Sequence, residues 1–218
     1  MRTLEELNQE EIIVVYRLLS KDDAAEVFTE LDSDLQEKLI NIFTDKELKE
    51  MLDELFLDDT VDLIEEMPAN VVKRILKSIN KEDRKTINEL LKYPEDSAGS
   101  IMTTEFVDLK ENMTVEDAFA KIRKVGVDKE TIYTCYVLTM KRKILGIVSL
   151  KDLLIAEKDV LIKEIMDTNV ITLSTTDDQE DVVKQFKKYD AIALPVVDKE
   201  NRLVGIITVD DVVDVMQE

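Results

Sequence analysis

The sequence predicts an α+β multidomain protein: an N-terminal all-α superhelical solenoid of short helices, followed by a tandem pair of mixed α/β units. Two observations predict this architecture. Residues 1–93 contain apolar segments that recur every 11 to 13 residues without an intervening glycine. After residue 97 the chain alternates strand-forming and helix-forming runs, and it repeats itself at an offset of 64 residues.

The helical half consists of segments that are each too short to be stable alone. A regular period of this length indicates an α-solenoid, in which every helix stacks on its neighbours. Most segments open with a capping signal, a short polar residue followed three positions later by an acid or glutamine. These signals start at Ser20, Ser33, Thr44 and Asn80, while Asp58 and Asp59 precede a further segment and Pro68 opens another.

The segment 93–99, Tyr-Pro-Glu-Asp-Ser-Ala-Gly, interrupts the helical period. Proline disfavours helix in the residue before it, and glycine permits a turn. We therefore predict a helical domain over residues 1–96 and a hinge within residues 93–99.

The second half contains two copies of one unit, predicted at residues 97–160 and 161–218. Ile101-Met102 aligns with Ile165-Met166 at an offset of 64, whereas Gly146 aligns with Gly205 at an offset of 59. The first copy thus holds five extra residues, which we place near residues 125–129. Runs rich in strand formers lie at residues 132–137, 143–148, 191–197 and 203–208.

Composition excludes several classes of function. The formal net charge of −20 over 218 residues opposes binding to nucleic acid or to anionic membrane surfaces. With one cysteine, Cys135, and no histidine, a Cys/His zinc site and histidine-based catalysis are excluded. No nucleophile–base constellation is visible, so we expect no enzyme. A bound metal would be a hard ion held by oxygen, such as Mg²⁺ or Ca²⁺.

Hydropathy and the N-terminus predict a soluble, cytoplasmic chain. No stretch reaches the ~20 apolar residues that a membrane helix needs. The N-terminus lacks a signal-peptide pattern, and we expect Cys135, within an apolar strand, to be buried and inert.

Each copy ends in a glycine, then a hydroxyl residue, then an aspartate: Gly146, Ser149 and Asp152 in the first, Gly205, Thr208 and Asp211 in the second. A leading Ile-Met, an order of strand–helix–strand–strand–helix and this closing phrase resemble the cystathionine-β-synthase (CBS) domain. The acidic solenoid joined to a CBS pair resembles the cytosolic region of MgtE-family magnesium transporters over the whole chain.

In CBS pairs the closing hydroxyl and aspartate often bind nucleotide phosphate and ribose. The resemblance therefore implies that ATP or another adenine nucleotide could bind at Ser149, Asp152, Thr208 and Asp211. The same residues also suit a plain helix start, in which the hydroxyl caps backbone N–H groups. Both interpretations are compatible.

The second copy carries Asp210 and Asp214 where the first has Lys151 and Ile155. Residues four apart share a helical face, so the two carboxylates repel each other. A solvated acidic face is one interpretation and a divalent-cation site is the other. The resemblance favours the cation, because the family's cation sites involve the position of Asp210, and it adds Asp198 and Glu200 in the preceding turn.

Negative charge is concentrated in two segments. Residues 1–96 carry −13, residues 97–159 carry 0 and residues 160–218 carry −7. If the two acidic surfaces meet, Mg²⁺ bridging them would offset their repulsion. On the helical domain Asp58 and Asp62, four apart, are the best candidates for the facing carboxylates, with Asp59 and the pair Glu95-Asp96 as further possibilities.

The leading hypothesis is a cytosolic magnesium-sensing region that controls gating of an MgtE-type transporter. The resemblance implies a homodimer formed through the CBS domains and, in the full-length protein, a pore domain in the cell membrane beyond Glu218. The chain is then a fragment of a longer protein, and the alternative is a relative of the family that has no pore. A nucleotide-sensing CBS module that regulates a partner, or an interaction solenoid with a passive CBS pair, are the rival functions.

Overall fold

The computed structural model describes residues 9–216, which fall into two compact units divided between Glu89 and Leu90. The first unit is helical throughout the described part. Its helices are α1 Gln9–Tyr16, α2 Lys21–Thr29, α3 Ser33–Ile42, α4 Asp45–Leu52, α5 Leu57–Glu66, α6 Ala69–Ser78 and α7 Lys81–Leu90. From α2 to α7 every helix begins twelve residues after the one before it. The predicted all-α solenoid is thereby confirmed.

The helix starts follow the predicted capping signals at three places. The Ser20 hydroxyl accepts the N–H of Asp23, Thr44 and Glu47 form a reciprocal capping box, and Asn80 caps α7. The prediction for Ser33 was wrong, because Asp32 caps α3 by accepting the N–H of Leu35 at 2.8 Å. Two adjacent short polar residues compete there, and the carboxylate is the stronger acceptor.

The α5 start also differs from the prediction. Helix α5 begins at Leu57, so Asp58 and Asp59 lie inside its first turn and do not precede it. Phe56 occupies the N-cap position without a side-chain hydrogen bond. The two acids still stabilise the start, because negative charge is favourable near a helix N-terminus.

A long-range contact fixes the middle of the solenoid. Arg74 on α6 donates from its guanidinium to the backbone carbonyls of Ile40 and Phe43, at the end of α3. Its Nη2 also lies 3.2 Å from a carboxylate oxygen of Asp45. The last carbonyls of a helix have no partner within the helix, so this arginine satisfies them and joins α6 to α3.

The second unit contains two three-stranded sheets. The first copy consists of β1 Phe106–Leu109, α8 Val115–Val125, β2 Thr131–Leu138, β3 Ile144–Ser149 and α9 Leu150–Ile155. The second consists of α10 Ile162–Ile165, β4 Leu173–Ser174, α11 Gln179–Tyr189, β5 Ala193–Val197, β6 Leu203–Thr208 and α12 Val209–Val215. In each sheet the first strand is parallel to the second, and the second is antiparallel to the third.

The predicted strands and repeat are confirmed, and the additional residues of the first copy are accounted for. A single turn of 3₁₀-helix, Gly126–Asp128, follows α8, whereas α11 is followed directly by a left-handed cap at Asp190. No helix within residues 9–216 combines the length and the apolar character needed to cross a bilayer.

The two copies exchange their leading segments. Thr103, ahead of the first sheet, pairs with Ile206 on β6, and Asp167, ahead of the second sheet, pairs with Ile147 on β3. This exchange explains the glycine of each closing phrase. A Cβ at Gly205 would lie 2.7 Å from the Thr103 carbonyl oxygen, so any larger residue collides with the exchanged backbone.

Apolar residues of both copies fill the space between the sheets. Phe106, Tyr136 and Leu138 from the first copy pack with Leu203 and Ile206 from the second. The Phe106 and Tyr136 rings meet edge to face with centroids 5.7 Å apart. This shared core and the exchanged segments make the two copies one folding unit.

Cys135 and the segment before the first copy are both buried. The prediction that Cys135 is buried is confirmed, and burial raises the pKa of its thiol to about 12, which disfavours the reactive thiolate. The N–H of Ala98 donates to the Asp177 carbonyl at 2.7 Å and that of Gly99 to the Thr175 carbonyl at 3.1 Å. Residues 97–99 are thus fixed to the second copy, and any hinge must lie before them.

Candidate functional site

The N-terminus of α12 gathers three aspartates of the second copy. Strand β6 ends at Thr208, and α12 follows at once, which places Asp210, Asp211 and Asp214 on its first two turns. The Asp211 carboxylate accepts the backbone N–H of Thr208 at 2.8 Å and its hydroxyl at 2.7 Å. Thr208 is buried, so this pair holds Asp211 in one orientation against the sheet.

The electrostatics of this helix start differ from those of an ordinary cap. Burial raises the pKa of Asp211, the hydrogen bonds from Thr208 oppose the rise, and the charges of Asp210 and Asp214 add to it. Within residues 9–216 neither Asp210 nor Asp214 forms an ion pair with a lysine or arginine. Because the charges of Asp210 and Asp214 act on Asp211 without a compensating lysine or arginine among the described residues, a bound cation would stabilise the group.

The donor set at α12 fits a hard divalent ion, which prefers carboxylate oxygen. Throughout the described part of the chain, however, no three acidic or other metal-ligating side chains already converge on a single point. A cation at Asp210 and Asp214 would therefore complete its coordination with water or with further oxygen ligands. Mg²⁺ commonly binds in this way, since it retains several waters.

The equivalent helix start of the first copy lacks the acidic excess. The Ser149 hydroxyl accepts the N–H of Asp152 at 3.0 Å and donates to the Asp152 carboxylate at 2.5 Å. Lys151 and Ile155 occupy the positions that Asp210 and Asp214 hold in the second copy. Both closing phrases therefore serve as helix starts, and only the second presents three neighbouring carboxylates.

The turn between β5 and β6 holds Asp198 and Glu200 in a different setting. One Asp198 oxygen accepts the N–H groups of Glu200 and Arg202 at 2.8 and 3.0 Å, and the other lies 2.7 Å from Arg202 Nε. Burial opposes ionisation of Asp198, but these hydrogen bonds outweigh it and lower its pKa. Glu200 also lies 3.4 Å from Arg202, so a metal at this turn would compete with the arginine.

The predicted metal ligands of the second copy do not form one cluster. Asp198 and Glu200 precede β6, whereas Asp210 follows it. A strand of this length spans roughly 20 Å. The two groups therefore lie at opposite ends of the sheet, and only Asp210 and Asp214 share a surface with Asp211.

The candidate carboxylates of the helical unit lie on α5. Asp58 is half-buried in the first turn, and Asp62, one helical turn later, is exposed. Their spacing places both on one face of the helix. They belong to the first compact unit, whereas the α12 carboxylates belong to the second.

One candidate functional residue was assigned no role from the sequence. Tyr133 on β2 is 62 % exposed, next to Thr134, which pairs with Ser149 at the start of α9. The corresponding residue in the second copy is Ile192, next to Ala193, which pairs with Thr208. An exposed ring beside a helix N-terminus offers a stacking surface for a base, and only the first copy provides one. Comparing the two copies strand by strand would have identified this difference.

The geometry defines a two-part protein, a helical domain joined to a CBS-domain pair. Models of two families match the chain: the MgtE intracellular N domain over residues 1–96, and the CBS domain over residues 98–159 and 162–218. The chain belongs to the MgtE family of magnesium transporters.

Individual relatives agree with this assignment. The magnesium transporter MgtE of Thermus thermophilus is 40 % identical over 217 residues, which cover 98 % of this chain and 48 % of the relative. MgtE of Bacillus subtilis is 33 % identical over 91 % of this chain and 44 % of the relative. The chain thus spans about half the length of these relatives.

A solved structure confirms the fold over nearly the whole chain. The cytosolic domain of the Mg²⁺ channel MgtE, determined in complex with ATP, superposes with a TM-score of 0.91 at 40 % identity. The match covers 97 % of this chain and 86 % of that one. The predicted combination of helical solenoid and CBS pair is therefore correct.

Proposed function

We propose that the chain is the cytosolic magnesium-sensing region of an MgtE-type transporter, and that Mg²⁺ bound between acidic surfaces controls its gate. The single observation that carries this proposal is the group of Asp210, Asp211 and Asp214, whose mutual repulsion no lysine or arginine of the described chain relieves. The transported ion of the relatives named above is magnesium. A sensor of that ion needs an oxygen-rich site of modest affinity, and these carboxylates supply one.

The mechanism follows from charge. The helical domain carries −13 and the second copy, counted from residue 160, carries −7, so their approach is unfavourable without counterions. Mg²⁺ bound at Asp210 and Asp214 and shared with carboxylates such as Asp58 and Asp62 would stabilise a compact state. Loss of Mg²⁺ would favour the extended state, because a ligand shifts an equilibrium only through its different affinities for the two states. We place the hinge ahead of the fixed segment 97–99.

The pore controlled by this region would follow Glu218 in the full-length protein, with the region itself on the cytosolic face of the cell membrane. We further propose a homodimer formed through the last helix of each CBS copy. Leu154 and Ile155 on α9 are 68 % and 73 % exposed, and Val209, Val213 and Met216 at the α12 end are exposed too. Leu154 and Val213 occupy equivalent positions of the two copies, and exposed apolar side chains on both closing helices suit a two-fold interface.

Small-angle scattering during a magnesium titration tests the sensor. The radius of gyration should fall as Mg²⁺ rises to tens of millimolar, and a potassium chloride series of equal ionic strength should not reproduce the fall. The double variant Asp210→Asn/Asp214→Asn should need more Mg²⁺. A matched variant, Glu157→Gln/Asp159→Asn, removes the same charge from exposed positions elsewhere in the unit and should behave as the wild type. A radius insensitive to Mg²⁺, or an equal effect of both variants, contradicts the proposal.

Adenine-nucleotide sensing is a second candidate function, favoured by the ATP complex of the similar cytosolic domain. Tyr133 would stack on the base, while Ser149 and Asp152 would approach the phosphates and ribose; Thr208 and Asp211 are the equivalent pair. Isothermal titration with ATP, ADP and AMP tests this function. Tyr133→Ala should weaken binding, whereas Tyr189→Ala, at another exposed ring, should not. Saturable nucleotide binding without magnesium-dependent compaction would favour this function over the first.

A further inference from the structure

Two hairpin turns of the CBS unit lie edge to edge. The first, residues 139–143, joins β2 to β3, and the second, residues 198–202, joins β5 to β6. Lys143 and Arg202 form an antiparallel bridge, and the N–H of Leu203 donates to the Arg142 carbonyl at 2.9 Å. The two turns therefore present one continuous surface.

This surface is positively charged in a strongly acidic protein. Lys141, Arg142 and Lys143 contribute +3, while the second turn sums to zero, with two acids and two bases. The acids of the second turn are engaged by Arg202 within that turn. Among residues 9–216 no carboxylate forms an ion pair with the three cations of the first turn, which we name the basic turn.

The backbone of the basic turn indicates that its cations are not incidental. Arg142 has φ of 62°, in the left-handed region where glycine or asparagine is the usual residue. Asn201 occupies the equivalent place in the second turn with φ of 58°. The first turn thus holds an arginine at a position where its backbone conformation is unfavourable, which points to a use for the side chain itself.

An apolar side chain stands among these cations. Met140 is 91 % exposed, between Thr139 and Lys141. A single exposed apolar residue is ordinary, but a flexible apolar side chain flanked by three cations matches the chemistry of an anionic lipid surface. An acidic protein surface would engage the cations without requiring the exposed methionine.

We propose that the basic turn binds anionic lipid headgroups, with the Met140 side chain entering the boundary between headgroups and acyl chains. This inference rests on the proposed function, which places the CBS pair at the cytosolic face of a membrane. The net charge of the whole chain does not prevent the contact, because physiological salt screens charges beyond about 8 Å. The three nearest cations therefore dominate the local attraction.

Vesicle co-sedimentation of the whole chain, in magnesium-free buffer, tests this proposal. Vesicles of phosphatidylcholine mixed in equal parts with phosphatidylglycerol should bind the protein, and pure phosphatidylcholine vesicles should not. Lys141→Gln/Arg142→Gln/Lys143→Gln should weaken partitioning by about 100-fold, which is about fivefold for each cation. Met140→Ser should weaken it less. The matched variant Lys38→Gln/Lys73→Gln/Lys77→Gln removes the same charge from exposed positions of the helical unit and should bind as the wild type.

Insertion of the Met140 side chain into the membrane is measured separately from the electrostatic attraction of the cations to the headgroups. A dye sensitive to polarity, attached through Met140→Cys, should shift to the blue on the anionic vesicles, and the buried Cys135 will not compete for the label. No binding to anionic vesicles at physiological salt, or equal losses in both triple variants, overturns the proposal. A third outcome would also overturn the proposal: the wild type self-associates but does not bind vesicles, and only the basic-turn variant loses the self-association. The partner of the basic turn would then be an acidic protein surface.

Failure of the lipid proposal and failure of the magnesium sensor are distinguishable. Scattering measures compaction without lipid, and the basic-turn variants should keep the wild-type magnesium response. A protein that compacts with Mg²⁺ but ignores vesicles rejects only the lipid contact. A protein that binds vesicles but never compacts rejects only the sensor.

Discussion

Gly205→Ala should destabilise the CBS pair strongly, because the exchanged leading segment passes directly over this residue. A Cβ there would lie 2.7 Å from the Thr103 carbonyl oxygen and 2.7 Å from Met102 Sδ. The methionine can rotate away, but the carbonyl is backbone. Thr103 and Ile206 exchange two backbone hydrogen bonds of 2.9 Å, and both would be strained by any movement of the segment.

The expected loss combines two contributions. Overpacking a close contact costs about 1–3 kcal/mol, and each weakened hydrogen bond adds about 1 kcal/mol or less. A total of about 2–4 kcal/mol should lower the midpoint of thermal unfolding of this unit by about 10 °C. Differential scanning calorimetry of the whole chain measures this shift and should leave the transition of the helical unit in place.

Gly126→Ala is the matched control. Gly126 has φ of −68°, which any residue adopts, and an added Cβ would meet only the side chains of Ile132 and Ile122. This change should alter the free energy of unfolding by no more than about 1 kcal/mol, because alanine restricts the unfolded chain while the Ile132 side chain has to shift slightly. Equal midpoints for Gly205→Ala and wild type would refute the explanation of the closing glycine as a requirement of the exchanged segments.

Three further predictions concern single side chains. Tyr136→Phe should leave stability unchanged or raise it by about 1 kcal/mol in urea unfolding, because the Tyr136 hydroxyl is buried without a hydrogen-bond partner in the described chain; a clear loss would reveal an unseen partner. Arg74→Met should destabilise the helical unit by about 2–3 kcal/mol through the α3 carbonyls that it satisfies, whereas the exposed Lys73→Met should not, by the same measurement. Asp211→Asn should change the pH dependence: the raised pKa of Asp211 favours folding at low pH, and this contribution is lost as pH rises through the native pKa. The stability of wild type relative to the variant should therefore fall from acid to neutral pH, and an opposite slope in parallel urea titrations would contradict the raised pKa.

Local sequence signals predicted the elements that depend on neighbouring residues. The twelve-residue period, the caps at Ser20, Thr44 and Asn80 and the strand runs each follow from residues within one turn or strand. Long-range contacts were beyond such reasoning. The guanidinium of Arg74 reaches carbonyls more than thirty positions away, and the hydrogen bonds that fix Ala98 and Gly99 come from the second copy.

The candidate site was predictable to a similar extent. The spacing of Asp210 and Asp214 on one helix was apparent from the sequence, and so was the difference from the first copy. The pairing of Asp198 with Arg202 across its turn is also a local feature, because both residues lie within five positions. The raised pKa of Asp211 depends on burial against the sheet, which no local pattern reveals. The domain limits at residues 96 and 160, and every assigned ligand, stay predictions.

The exchanged leading segments have a consequence for dissection of the protein. A single copy produced alone would carry one unpaired leading segment and one unoccupied strand edge, and these two parts are complementary. Two such molecules could satisfy each other by reciprocal exchange, so an isolated copy should recover as a symmetric pair of separate chains. The tandem arrangement is then equivalent to a covalently fused dimer. Because the two halves are separate stretches of sequence, each can carry its own chemistry: three aspartates at the last helix of the second copy, and an exposed tyrosine in the first.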